Sequence, residues 1–309
     1  MRNYSYILFI FFILISISCV PAYSSITMLS KDISAYPISK IKFLPLDKNN
    51  NILLNLQQED FTFLDNGTSM PISNFTKCAV PSGLSSIAIC FDLSIGQRVG
   101  NNDDFNYAQE LIEYYLSYID MENTEVSLLS FDRISIIESD FTSQTNTIAN
   151  LVKEFSQSSS SNIYHGLCSS QTGGIDFLKN ASGDIKSILL VTQNLISSEE
   201  AELIISQAKE KKIQINILYI SDIIPDNIQY IADKTNGYVI SNKELSNKLL
   251  PAIASLAKLS EGVIPYSLEG TMYDNCDGSH VHTLTCNHEQ EIFSGSYEIQ
   301  IKRENLQYI

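Results

Sequence analysis

The chain has 309 residues, 44% of them hydrophobic and 18% charged, and its formal net charge is -15. These values are typical of a packed globular protein with room for one large domain and smaller ones, and they exclude an intrinsically disordered chain. The acidic excess argues against nucleic acid as a partner and against electrostatic binding to anionic membrane surfaces.

The N-terminus has the pattern of a secretory signal peptide, which we predict over residues 1–24. Arg2 precedes an apolar run at residues 7–15 that is too short to span a bilayer comfortably, and small residues follow. Two processing sites stay open: cleavage after Ser24, or a loose lipobox whose Cys19 would carry lipid. We therefore expect an exported protein of the periplasm, cell envelope or extracellular space, with membrane contact only through a lipid on Cys19.

The next segment, residues 26–77, alternates β-like runs with turns and predicts a small antiparallel β domain. Residues 41–46 and 52–56 are apolar runs on either side of an asparagine-rich turn, and Asn66-Gly67 is a strong hairpin signal. A domain of roughly fifty residues is marginal by itself, so we expect it to pack on its neighbour.

From residue 84 to 260 the pattern changes to strands that alternate with helices. The run 86–92 is apolar at successive positions, which indicates a strand buried on both faces. This alternation predicts an α/β fold with a doubly wound, mostly parallel, Rossmann-like sheet, flanked by small β units at both ends. The other predicted elements are strands at 126–131, 134–137, 187–193, 213–220 and 238–240, and helices at 105–119, 145–156, 163–178, 199–211, 228–235 and 244–258.

After Gly262 the β pattern returns in residues 263–309, a small C-terminal β unit. Whether it shares a layer with the N-terminal β domain stays open. Export permits disulfides, and Cys276 and Cys286 are close in sequence, so we predict that they form one. We expect Cys90 to be a core thiol, and the pairing of Cys78 and Cys168 stays open.

Polar side chains follow the buried strands where a parallel sheet places its ligands. Asp92 and Ser94 end the first strand, and the loops that contain Ser161 and Gln193 are expected at the same edge. Oxygen ligands from three loops suit a hard cation such as Mg²⁺.

These residues resemble the von Willebrand factor A domain over roughly residues 84–260. That family carries a metal-ion-dependent adhesion site, which begins with Asp-x-Ser-x-Ser and is completed by a Thr and an Asp from two other loops. Here Asp92 and Ser94 match, Gly96 stands in place of the second serine, Ser161 in place of the threonine, and Gln193 in place of the aspartate. The resemblance implies a degenerate metal site at Asp92, Ser94, Ser161 and Gln193, with weak or absent Mg²⁺ binding.

Two other kinds of site are suggested by short patterns in the sequence, a zinc site in the tail and a hydrolase nucleophile at Ser94. His280 and His282 share a strand face and, with His288, Cys276 and Cys286, offer a zinc site in the tail; the alternative is an exposed strand beside a disulfide. A hydrolase nucleophile elbow is excluded because Asp92 occupies the place of its first glycine.

The resemblance implies a protein without enzymatic activity that mediates protein–protein interaction or adhesion at the cell envelope through an unknown protein ligand. The main alternative is a structural or assembly subunit of an envelope complex that needs no metal, in which the β flanks are the working surfaces. A zinc-binding activity of the C-terminal unit is the remaining alternative.

Overall fold

A computed structural model describes residues 24–97, 102–241, 249–273, 278–289 and 291–301. Nearly all of the predicted signal segment, including Cys19, and the predicted disulfide partner Cys276 lie outside these ranges. The strands are β1 (Ser25–Asp32), β2 (Ile38–Leu46), β3 (Phe61–Asp65), β4 (Thr68–Met70), β5 (Ile72–Thr76), β6 (Ser85–Asp92), β7 (Thr124–Phe131), β8 (Ser135–Thr142), β9 (Ile185–Thr192), β10 (Gln214–Tyr219), β11 (Val239–Ser241), β12 (Tyr266–Thr271), β13 (Gly278–His288) and β14 (Glu291–Ile301). The helices are α1 (Asn102–Ser117), α2 (Thr145–Glu154), α3 (Ile163–Cys168), α4 (Gly174–Phe177), α5 (Ser198–Glu210), α6 (Asp226–Lys234) and α7 (Leu249–Ser260).

The central sheet has six strands in the order β11-β10-β9-β6-β7-β8. Neighbours are parallel except for the antiparallel edge pair β7 and β8. All eight residues of β6 are buried, because β6 lies inside the sheet and both of its faces are covered. The predicted doubly wound, mostly parallel sheet is therefore confirmed.

Two apolar layers cover the faces of this sheet. Ile87, Ile89 and Phe91 pack with buried side chains of α1, α2 and α7 on one face. Ala88 and Cys90 point to the other face, where they pack with α3, α4, α5 and α6. Side chains alternate along a strand, so one apolar run supplies both cores.

The two β segments at the ends of the chain form one unit built of two sheets. The first sheet has the order β1-β2-β12-β5 and the second β14-β13-β3-β4, so strands from both ends of the chain pair in each sheet. Phe43 of the first sheet contacts Phe61 of the second edge to face, with ring centroids 5.1 Å apart. The two β segments, whose relation the sequence leaves open, therefore share both sheets. Each segment is too short to bury an apolar face alone, and pairing with the other completes a shared core.

Two predicted elements differ from the structure. The predicted helix at 163–178 is split into α3 and α4, because Ser169 has an extended backbone and Gln171 has a φ of 71°. The predicted β run at 52–56 forms only an isolated bridge between Ile52 and Leu46. Its backbone instead wraps around Tyr266, whose hydroxyl accepts from the Leu56 amide at 3.2 Å and donates to the Leu53 carbonyl at 3.1 Å.

Within the part of the chain that the structure describes, every helix is too short or too polar to cross a bilayer. The start of the predicted helix at 244–258 lies outside the described residues, and its described part begins at Leu249.

Candidate functional site

Three loops meet at the carboxyl edge of the central sheet. β6 ends at Asp92 and its neighbour β9 ends at Thr192, with Phe91 in register with Val191. Ser161 comes from the segment that leads into α3. The parallel pairing of β6 and β9 places their last residues side by side, as the sequence predicts.

Asp92 is the centre of this site and is fully buried. Its Oδ1 accepts from the backbone amide of Ser94 at 3.0 Å and from the Ser94 hydroxyl at 2.8 Å. Its Oδ2 accepts from the hydroxyls of Ser161 at 2.9 Å and Thr192 at 2.6 Å, and from the side-chain amide of Asn194 at 2.8 Å. Five donors therefore surround one fully buried carboxylate and satisfy its acceptor positions.

Asn194 holds the cluster together from above. Its Nδ2 lies 2.8 Å from Asp92 Oδ2 and 2.8 Å from Ser94 Oγ, and its backbone amide donates to the Thr192 hydroxyl at 3.1 Å. The amide group thus bridges the carboxylate and a hydroxyl, which a cation would otherwise coordinate together. Thr192 and Asn194 were not predicted as site residues, although the end of the buried run at Thr192 is a signal for them.

Gln193 does not join the cluster around Asp92. Its side-chain oxygen accepts from the Gly96 amide at 2.8 Å, and its Nε2 donates to Asp104 Oδ2 at 2.9 Å. Gly96 has a φ of 85°, a backbone conformation that favours glycine over serine. The loop geometry itself therefore differs from one in which a second serine would point at the site.

The residues present do not fit a Mg²⁺ ion. A carboxylate has about four lone-pair positions, and the five hydrogen bonds to Asp92 use them all. Mg²⁺ dehydrates reluctantly and favours carboxylate ligands, whereas Asp92 is the one carboxylate among the described residues that contacts the hydroxyls of this cluster. Among the described residues, no three His, Cys, Asp or Glu side chains form a group that could hold a metal.

The positions that form this site follow the pattern of one family. An Asp-x-Ser at the end of a central strand, a hydroxyl residue before a helix and the end of a second strand converge on one carboxylate. The central domain has the von Willebrand factor A fold. Its departures from the family pattern are Gly96, Ser161 and Gln193, and of these Ser161 keeps a hydroxyl that reaches Asp92.

Comparisons with solved structures give low-scoring resemblances to von Willebrand factor A domains. An aerotolerance-related membrane protein from Bacteroides fragilis is 16% identical with a TM-score of 0.44, covering 57% of this chain and 99% of its own. The von Willebrand factor domain of a type V pilus tip protein from Porphyromonas gingivalis is 10% identical with a TM-score of 0.42, covering 59% and 95%. Proximal thread matrix protein 1 from the mussel byssus, with zinc in its adhesion motif, is 14% identical with a TM-score of 0.47, covering 65% and 50%.

No family model matches the sequence. No curated protein matches it either. The assignment of the fold therefore rests on the strand order and on the convergence of the three loops at Asp92.

Three loops at the carboxyl edge of the central sheet each carry an exposed aliphatic side chain. Ile134 follows β7, Leu195 follows β9 and Ile223 follows β10, so all three lie on loops at the carboxyl edge. Their exposed fractions are 63%, 56% and 80%.

Among the described residues, the histidines of the tail do not gather into the zinc site that the sequence leaves as an alternative. His280 and His282 share a face of β13, but that face points into the β unit, where both are buried. His280 Nδ1 lies 2.9 Å from Asp65 Oδ1, and His282 Nδ1 lies 2.9 Å from the Tyr297 hydroxyl. His288 is six residues farther along the strand, about 20 Å from His282. The exposed strand expected as the alternative is also wrong, because the two histidines face the core.

His282 is fully buried and lies among polar side chains. Its Nε2 lies 3.6 Å from Asp65 Oδ1, and within the described residues this nitrogen has no hydrogen-bond partner. Burial lowers the pKa of His282 to about 4, which outweighs the attraction of Asp65; His280 and Lys31 lower it further. His282 is therefore neutral in the folded protein at neutral pH.

Of the described cysteines, Cys90 and Cys286 are buried, and Cys78 and Cys168 are half-buried. Cys90 is buried in β6, and burial raises its pKa to about 12. Burial likewise raises the pKa of Cys78 to about 11 and that of Cys168 and Cys286 to about 12. Cys286 is fully buried in the β unit, and because Cys276 lies outside the described residues, their disulfide stays a prediction.

Proposed function

We propose that this is an exported von Willebrand factor A-domain protein that mediates protein–protein interaction or adhesion at the cell envelope without enzymatic activity. The observation that carries the proposal is the apolar rim of Ile134, Leu195 and Ile223 at the carboxyl edge. The polar cluster beneath the rim supports a binding role over a catalytic one, since Asp92 and Ser94 are buried and engaged with each other. A nucleophile would need access to its substrate.

Binding at this edge proceeds by surface complementarity and without a cation. The Asp92 cluster fixes the loop after β9, which carries Leu195, relative to the loops of Ser94 and Ser161, so this part of the rim is held in one geometry before a partner arrives. Preorganisation of this kind reduces the entropic loss on binding. In this proposal, apolar contacts to the rim replace the bond from a partner carboxylate to a bound ion.

The rim is tested by capture of envelope proteins on immobilised full-length protein, quantified for the parent and for Leu195→Ser combined with Ile223→Ser. Both side chains are exposed, so the variant should keep the parent melting temperature while capture falls about tenfold or more. Ile292→Ser is the matched control, because Ile292 is 73% exposed on β14, in the β unit. Loss of capture by the control alone would favour the structural subunit that uses its β flanks.

Independence from metal is tested with Asn194→Asp. This substitution places a second carboxylate 2.8 Å from Asp92, where the amide now lies, so the two negative charges repel. We expect the variant to melt lower than the parent in chelator and to regain stability with Mg²⁺, while the parent responds to neither. A Mg²⁺-dependent rise in the parent melting temperature would show that Asp92 already holds a cation.

A further inference from the structure

A cleft of about 650 Å³ lies at the amino edge of the central sheet, opposite the Asp92 site. Its lining comes from the start of β9, the turn between α5 and β10, and the turn between α6 and β11. The charged residues in that lining are Lys186, Lys209, Lys212, Lys234, Asp184 and Asp233. Four lysines against two aspartates make this cleft locally positive in a chain with 35 acidic and 20 basic residues.

Two of these cations are free to meet a ligand, since within the part of the chain that the structure describes Lys209 and Lys212 form no salt bridge. Lys234 also forms none, but its Nζ lies over the Tyr230 ring, 5.4 Å from the centroid. The Nζ of Lys186 donates to the Leu178 carbonyl at 2.8 Å. By contrast, Lys211 points away from the cleft and pairs with Asp176 at 3.1 Å.

Helix ends explain only part of this charge. Lys209 and Lys234 lie in the last turns of α5 and α6, where cations favour the helix dipole. Lys212 lies beyond α5 with a φ of 55°, the left-handed conformation that helices usually reserve for glycine after their C-terminus. A lysine at this position is conformationally unfavourable, and its side chain is exposed and lines the cleft.

We infer that this cleft binds an acidic peptide segment of a partner protein through separate lysine–carboxylate pairs. The helix ends at this edge are C-termini, which offer no free backbone amides of the kind that bind phosphate. Asp184 and Asp233 lie in the same lining and repel a compact, multiply charged anion. An extended segment with spaced carboxylates can place each charge beside a lysine while its backbone passes the two aspartates.

The test is fluorescence anisotropy of a labelled poly-glutamate peptide with the full-length protein, at low ionic strength and at about 0.15 M, where the Debye length is about 8 Å. Lys212→Gly removes the charge and suits the backbone, so it should hold or raise the melting temperature while weakening binding by roughly two- to fivefold. Adding Lys209→Gln should bring the loss to roughly tenfold. Lys211→Gln is the matched control and should bind as the parent does.

Three outcomes would overturn the inference. These are an absence of binding to the parent at low ionic strength, equal binding by Lys212→Gly, and stronger competition by inorganic tripolyphosphate than by unlabelled peptide. Leu195→Ser should bind the peptide as the parent does, because it lies at the opposite edge. This separates a failure of the cleft from a failure of the proposed interaction rim.

Discussion

Removing the Asp92 carboxylate tests whether this site is a structural hydrogen-bond centre. Asp92→Ala leaves five donors from Ser94, Ser161, Thr192 and Asn194 without their acceptor in a buried place. Hydrogen bonds to a charged group contribute about 1.5–3 kcal/mol each, but hydroxyls that rotate to other acceptors recover part of the loss. We therefore expect the free energy of unfolding to fall by about 3–5 kcal/mol.

Urea unfolding of the parent and the variant, both in chelator, measures this loss by linear extrapolation. Asp104→Ala is a control at the same edge, because Asp104 is half-buried and accepts one hydrogen bond there from Gln193. Its loss should be below about 1 kcal/mol. If Asp92 held a cation, the substitution would have little effect in chelator, since a carboxylate without its ion adds little to the free energy of unfolding or lowers it.

Two results together would show that Asp92 is not a structural hydrogen-bond centre. The first is a change below about 1 kcal/mol for Asp92→Ala in chelator. The second is stabilisation of the parent, but not of the variant, by Mg²⁺. Together they would show that the five hydrogen bonds do not hold the carboxyl edge and that an ion does.

Three further predictions concern the fold. A Cβ on Gly237 would lie 1.8 Å from the Ile215 carbonyl oxygen, so Gly237→Ala should reduce the free energy of unfolding by at least about 3 kcal/mol in urea titrations. Because His282 has a folded pKa of about 4 against an ordinary value of 6.5, the unfolded chain binds more protons between these values, and stability should fall as the pH drops through this window. The fall, measured by urea titration at a series of pH values, should reach up to about 3 kcal/mol and be smaller in His282→Gln. Ser197 and Glu200 form a capping box at the start of α5, so Ser197→Ala should lower the free energy of unfolding by about 1 kcal/mol, measured the same way.

Each of these three predictions can be contradicted by a specific result or checked with a control. Parent-like stability of Gly237→Ala would mean that β10 and the turn before β11 do not approach as closely as described. An unchanged pH profile in His282→Gln would assign acid sensitivity to other groups. Ser198→Ala is the control for the cap, since its hydroxyl donates to Asn227 at 3.4 Å and does not cap the helix.

Local sequence patterns were sufficient to predict the sheet of the central domain and the residues at the end of its first strand. The apolar run of β6, the helix periodicity around it and the polar residues at its end predicted the doubly wound sheet and the convergence of Asp92, Ser94 and Ser161. These features depend on side chains within one strand or helix and on the rule that parallel strands end at a common edge. The hairpin at Asn66-Gly67, which links β3 and β4, is local in the same sense.

Sequence by itself therefore determined the order of the elements, the central strand and the residues at its end. Tertiary structure alone decided that strands from both ends of the chain share two sheets, because pairing partners more than 150 residues apart leave no local pattern. It also decided that His280 and His282 face inward, since strand alternation defines two faces without saying which is buried. Finally, it placed Asn194 above Asp92, which changes a carboxylate that resembles a metal ligand into the acceptor of a closed hydrogen-bond cluster.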